Sequence, residues 1–246
     1  MTRSLLASAA LTVTTLTITA LTAAPAQAQA PTQSVFGYAW ADGKGALRVT
    51  PVSARLVRSQ GVPRHELKAL PGARELRLTY GGADFRRLTA GCDLKETEGR
   101  VALDSAGLGT TRCKPADLTF TLGLGPNPVR IDHEGGRAVR VSEFMPAKWY
   151  TRTARGVLQR VDSDTVRLGS TQLGYTWGLA FNRVTAKCTD GWLTGEPVNA
   201  DESGLGTKAC SARDFTKVFT GSKLAEVHYN PYSGELFNVW EIYGDA

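Results

Sequence analysis

The sequence is poor in the side chains from which enzymes assemble a reactive centre. It holds three histidines, His65, His133 and His228, each on a different stretch of chain. No Gly-x-Ser-x-Gly elbow occurs, so a hydrolase of that type has no visible nucleophile. The run His65-Glu66-Leu67-Lys68 lacks the second histidine of a zinc-protease helix. There is no block of like charge and no nucleic-acid motif, which removes nucleic acid from the expected partners. Beyond residue 24 no stretch approaches 18 uninterrupted apolar residues, so no membrane span is expected in the mature chain. Long 3.6-residue periodicity is also missing, which leaves little room for helices.

The first 30 residues have a different character. A single early charge at Arg3 is followed by an apolar stretch from Leu5 to about Ala24, then Ala26-Gln27-Ala28 and Ala28-Gln29-Ala30. This is the pattern of a secretory signal peptide (residues 1–30) cut after Ala28 or Ala30, which predicts an exported, extracellular mature chain starting near Pro31. The charge of +6 is uneven: residues 31–148 have 18 Lys/Arg against 12 Asp/Glu, and 149–246 have 10 against 11. Without a clustered patch, the basic tilt of the first half reads as a solvated face.

The chain says one thing twice. Asp104-Ser-Ala-Gly-Leu-Gly-Thr-Thr-Arg-Cys113 is answered 97 residues later by Asp201-Glu-Ser-Gly-Leu-Gly-Thr-Lys-Ala-Cys210, and Phe85-Arg-Arg-Leu-Thr-Ala-Gly-Cys92 by Phe181-Asn-Arg-Val-Thr-Ala-Lys-Cys188. Of these 18 aligned positions 11 are identical, where residue frequencies alone would give roughly one or two. The expectation is an internal duplication, with units at 31–144 and 145–246. Fainter matches set Gly45–Val49 against Gly156–Arg160. The junction Phe144-Met-Pro-Ala-Lys-Trp149 is apolar rather than Gly/Ser-rich, so the units should pack together. Gln60–Gly72, with prolines at 63 and 71, has no counterpart in the second unit and reads as a surface loop.

Within each unit apolar residues recur every second position: Phe36, Tyr38, Trp40; Leu76, Leu78, Tyr80; Leu173, Tyr175, Trp177. Such alternation, with Gly and Asn-Pro punctuation, predicts strands and hairpins, including 129–141 turning at Glu134-Gly-Gly136 and 226–240 turning at Asn230-Pro231. Pro115–Leu118 and Ala212–Phe215 could each start a short helix. The expected fold class is mainly β: two tandem homologous antiparallel β units, sandwich-like, each with one internal disulfide, packed together.

Four cysteines in an exported chain imply disulfides. Three pairings are possible, and the duplication selects Cys92 with Cys113 and Cys188 with Cys210, because an ancestral single unit could pair only within itself. Closing a loop of this size contributes on the order of 3 kcal/mol by restricting the unfolded chain. The Gly-Leu-Gly-Thr segments between the cysteines lack the following Lys-Ser/Thr of a phosphate loop, and instead shape the turn that returns the second cysteine.

No metal or cofactor is expected. The acidic pairs Asp162/Asp164 and Asp201/Glu202 do not fit calcium-loop spacing. The contact candidates are aromatic: Trp192, in the second stapled loop where the first has Lys95 and polar neighbours, and Tyr229 and Tyr232 around Asn230-Pro231. Two functions compete. One is a non-catalytic protein that binds another secreted or cell-surface protein, as an inhibitor of an extracellular enzyme or an adaptor in a secreted, toxin-like assembly, with carbohydrate as a second ligand class for the same aromatics. The other is a secreted hydrolase with a site between the units, which needs a histidine such as His133 or His228 near a carboxylate or Ser of the other unit.

In general plan the twin stapled repeats resemble the β-lactamase inhibitory proteins and the small adaptor subunits of secreted umbrella-type toxin particles. The leader ending APAQAQA and the Ala/Arg/Thr/Leu-rich style resemble secreted actinobacterial proteins. These resemblances imply a binding role and carry over no individual residue.

Overall fold

The computed structural model describes residues 31–93, 100–194 and 196–243; the leader with its cleavage positions, and Lys95, lie outside the described residues. The chain from Pro31 onward makes one compact unit. It is mainly β, with two disulfides.

The first half contributes β1 (Gln33–Ala41), β2 (Ala46–Val49), β3 (Val52–Ser59), β4 (Val62–Ala69), β5 (Leu76–Thr79), β6 (Asp84–Arg87), β7 (Thr111–Cys113), α1 (Pro115–Leu124), β8 (Asn127–Glu134) and β9 (Arg137–Glu143). The second contributes β10 (Arg152–Arg160), β11 (Thr165–Leu168), β12 (Thr171–Gly174), β13 (Ala180–Arg183), β14 (Lys208–Ser211), α2 (Ala212–Val218), β15 (Ser222–Tyr229) and β16 (Leu236–Glu241). Both predicted short helices form. Each opens on a carboxylate that accepts a backbone N–H at the cap: Asp117 from Lys114 (2.7 Å) and Asp214 from Ser211 (3.0 Å).

Neither half is the antiparallel sandwich that period-two alternation suggested. In the first sheet β1, β2, β5, β9 and β8 pair in a closed ring, and the link that closes it is parallel, Thr79 beside Arg137. That ring is a five-stranded barrel, with β6 and β7 continuing outward from β9 and β6 parallel to β9. The second sheet runs β12-β11-β10-β15-β16-β13-β14, again with a parallel pair, β13 on β16. Its β12 edge meets the chain entering β16, Gly174 beside Glu235 in a parallel bridge with Gly174 N–H donating to the Gly234 carbonyl (2.9 Å), as Thr79 N–H donates to that of Gly136 (3.1 Å), so β10, β11, β12, β16 and β15 make a second ring. Alternation reports which face a residue takes; it carries no information about strand direction or ring closure.

Each barrel wraps its own apolar core. Leu47, Leu78, Phe85, Leu118, Ile131 and Val141 fill the first; Leu158, Leu173, Phe181, Phe215, Val227 and Val239 fill the second. A third cluster lies at the seam and draws on both halves: Tyr38, Val52, Leu67, Leu108 and Phe144 with Tyr150 and Tyr232.

Gln60–Gly72, expected as a loop, is mostly strand. Gln60 (φ 52°) and Gly61 (φ 79°) make the two-residue turn of a β3–β4 hairpin, the left-handed pair that suits the twist of the flanking strands. The prolines misled because Pro63 sits next to that turn and Pro71 beyond the last paired residue, so neither interrupts the middle of the ladder. The hairpin holds the junction: His65 N–H donates to the Met145 carbonyl, and Ala147 N–H to that of His65, both at 2.8 Å. Leu67 N–H donates to the Tyr150 hydroxyl (2.7 Å).

Two smaller expectations also change. Gly45–Val49 falls on β2, the second strand of its barrel, whereas Gly156–Arg160 falls on β10, the first strand of the other. Strand β12 stops at Gly174, so Tyr175 and Trp177 leave the ladder, the first buried and the second exposed.

Candidate functional site

The repeated phrases are structural. Cys92 is bonded to Cys113 and Cys188 to Cys210, with Cα separations of 5.6 and 5.7 Å. Gly107 (φ 73°) and Gly204 (φ 74°) take left-handed backbone angles, and a Cβ on Gly109 or Gly206 would stand 2.4 or 2.5 Å from the carbonyl carbon of Arg87 or Arg183. The first glycine of each phrase is needed for its turn, the second for the close approach of two backbones.

Sequence reasoning missed the group that both stapled loops wrap around. Arg183, fully buried, donates to the carbonyls of Cys188 (2.9 Å), Asp190 (2.6 Å) and Gly191 (2.8 Å) and to the Glu241 carboxylate (2.7 Å). Glu241 also accepts the Val184 N–H (3.0 Å). In the first half Arg87 donates to the Cys92 carbonyl (2.8 Å) and pairs with Glu143 (3.5 Å), which accepts the Leu88 N–H (2.9 Å). A signal was available, since Arg87 and Arg183 each stand five residues before a cysteine inside the matched phrase.

The three predicted contact residues are packed inward. Trp192 stacks on Phe181 (5.6 Å between centroids) and meets Phe219 edge-on (5.5 Å), folded over its own disulfide loop. Tyr229 belongs to the second core, and Tyr232 packs edge-on against Tyr150 (4.7 Å) in the seam. All three gain more from removing ring area from water than an exposed position would allow. Tyr229 is covered by its own core, whereas Trp192 and Tyr232 are half-buried and keep part of their surface outside theirs.

The histidines do not converge either. His133 is paired with Ala138 and buried, while His228 is paired with Asn238 and sits at the outer face, edge-on to Trp240 (4.6 Å). A bulge precedes both His133 and Tyr229, so Tyr229, not His228, takes the place of His133. His65 lies between Phe36 and Phe144, and burial holds its pKa below the usual imidazole value. Asp162 accepts the Asp164 N–H and Asp201 those of Ser203 and Leu205, so these carboxylates shape turns.

Two surfaces have site-like chemistry. The first is the outer face of the second sheet. In the first sheet the matching face is ionic: Asp84 is ringed by Arg86 (3.0 Å), Arg112 (3.3 Å) and Arg140 (3.2 Å). The pairings Phe85 with Val141 and Phe181 with Val239 put Ala180, Asn182, Ala209 and Asn238 at the corresponding positions of the second, and Trp240 where Ser142 stands. Trp149, 70% exposed, packs at a tilt of 33° against Phe237 (5.3 Å between centroids), which sits on the bulge of the same strand.

The second surface is a groove of about 680 Å³ between the barrels. Trp40 forms part of its wall, held by an Nε1–H bond to the Ser233 carbonyl (2.7 Å) and covered by the Arg48 guanidinium (5.1 Å). Trp177, 81% exposed, stands at another point of the lining. Arg77 pairs with Asp42 and Glu75, each at 3.5 Å. Next to Gly125 in this lining lies Glu235, whose carboxyl burial pushes up to about 7. Burial likewise pushes the nearby Tyr38 hydroxyl up to about 12, partly offset by its hydrogen bond with Asn230.

No family model, curated protein or solved structure matches the chain.

Proposed function

We propose that the chain is an exported, non-catalytic binding protein made of two related β units, 31–144 and 145–246, acting as an adaptor or subunit of a secreted assembly or as an inhibitor of an extracellular enzyme. The relation between the units is supported by the recurring strand order, the recurring Arg–Glu pair and the two loops stapled at the same register. Export is compatible with two disulfides and with the fact that, among the described residues, no helix is long and apolar enough to cross a membrane.

The observation that carries the binding reading is the contrast between equivalent faces. Where the first unit ties its outer face together with three arginines around Asp84, the second leaves Trp149, Phe237, Trp240 and His228 on a face with a single ion pair, Arg155–Glu226 (3.3 Å). Aromatic residues with amide and small neighbours are the composition of a protein-docking core. Tagged protein recovered from its producing culture should hold a stoichiometric protein companion, and Trp240→Arg should lose it while keeping a wild-type Tm. A companion held equally by Trp240→Arg would refute the assignment of the face.

A second reading, a hydrolase acting between the units, has one observation in its favour: a carboxyl pushed to about 7 beside the groove, protonated over part of the neutral range as a general acid must be. If polymer hydrolysis by the purified protein disappeared in Glu235→Gln, that reading would displace the first.

A further inference from the structure

We propose that the groove between the barrels binds an uncharged oligosaccharide, a ligand independent of the protein partner assigned to the outer face of the second sheet. Three features of the groove point to this chemistry. Its volume of about 680 Å³ falls within the range of small-molecule sites, roughly 300–1,000 Å³. Its charges nearly cancel: Asp42, Glu75, Asp162 and Asp164 line it together with Arg48, Arg77 and Arg213. A strongly anionic or cationic ligand gains little there, whereas hydroxyl groups find acceptors and donors already oriented by the Arg77–Asp42 and Arg77–Glu75 pairs and by the hydrogen bond of Asp164 N–H to Asp162.

The third feature is the contrast between the two tryptophans. Trp40 is committed to the wall by its Ser233 bond, the Arg48 cover and Gly174, where a Cβ would stand 3.0 Å from the ring. Trp177 is 81% exposed on the turn after β12. Leaving a free indole in water at the lining of a polar groove gains nothing for folding, and it provides the flat apolar surface on which the C–H face of a pyranose stacks while its hydroxyls reach the polar walls.

The test is isothermal titration of the intact, disulfide-bonded protein with hexa-N-acetylchitohexaose, cellohexaose, maltohexaose and mannohexaose, following indole fluorescence in parallel. At least one is expected to bind saturably, and Trp177→Ala to weaken it about tenfold or more, the loss expected on truncating a contact aromatic. The Trp177→Ala protein should keep its Tm, because the ring is mostly in water, and Trp177→Phe should recover part of the affinity. A second variant on the same lining, Gln172→Ala on β12, should weaken the same sugar without touching the indole. The proposal is overturned if none of the four hexaoses binds, if the one that binds is held equally by Trp177→Ala, or if Trp177→Ala instead releases the protein companion.

Discussion

At the scale of single residues, the groups that decide stability are the charges the fold has buried. Arg183 and Glu241 have no access to water, so removing one leaves the other uncompensated. Arg183→Met or Glu241→Gln should cost about 3–5 kcal/mol in chemical denaturation, more than the same changes at the partly exposed Asp84–Arg140 pair, where about 0–1 kcal/mol is expected. Glu235 acts through pH. Burial raises its folded-state value to about 7 from 4.5, so the folded protein holds the proton more tightly than the unfolded chain does. Stability from this group is present below pH 4.5, declines between 4.5 and 7, and is lost above. Glu235→Gln should therefore raise the Tm at pH 8, by roughly 2–4 °C after discounting for partial exposure, and leave it unchanged at pH 4. An equal gain at both values would assign the effect to packing instead.

Among the elements, the stapled loops and the β3–β4 hairpin do different work. Each disulfide closes a loop of about 20 residues, and the second also pins the carbonyls that Arg183 gathers. Replacing Cys188 and Cys210 together by Ala should cost about 3 kcal/mol or more, with the excess over the loop estimate reporting how far Arg183 depends on the staple; a loss below 1 kcal/mol would mean that the guanidinium holds the loop unaided. What the sequence made legible was local in character. Hairpins at Gly135-Gly136 and Asn230-Pro231, the two capped helices and both disulfides follow from neighbours a few residues apart or from the repeat itself. The parallel pairs β6–β9 and β13–β16 join segments more than 40 residues apart, and nothing in a period-two pattern reports them. The packing of Trp192, Tyr229 and Tyr232 against apolar clusters was not legible for a related reason: an aromatic residue beside a turn has the same sequence signature whether the chain folds it over a core or away from one.

For the molecule as a whole, the seam matters most. Tyr150 and Tyr232 from the second half pack with Tyr38, Leu67 and Phe144 of the first, and β4 bonds the junction on both sides of Pro146. The two barrels are thereby held as one body that presents an aromatic face on one unit, an ionic face on the other and a polar groove between them. The account stands on the aromatic face being the one a partner covers. Hydroxyl-radical footprinting of the protein, free and with its captured companion, tests this most directly. Oxidation of Trp149, Phe237 and Trp240 should fall several-fold in the complex while that of Trp177 is unchanged. Unaltered oxidation of Trp149 and Trp240 in a stoichiometric complex would contradict it.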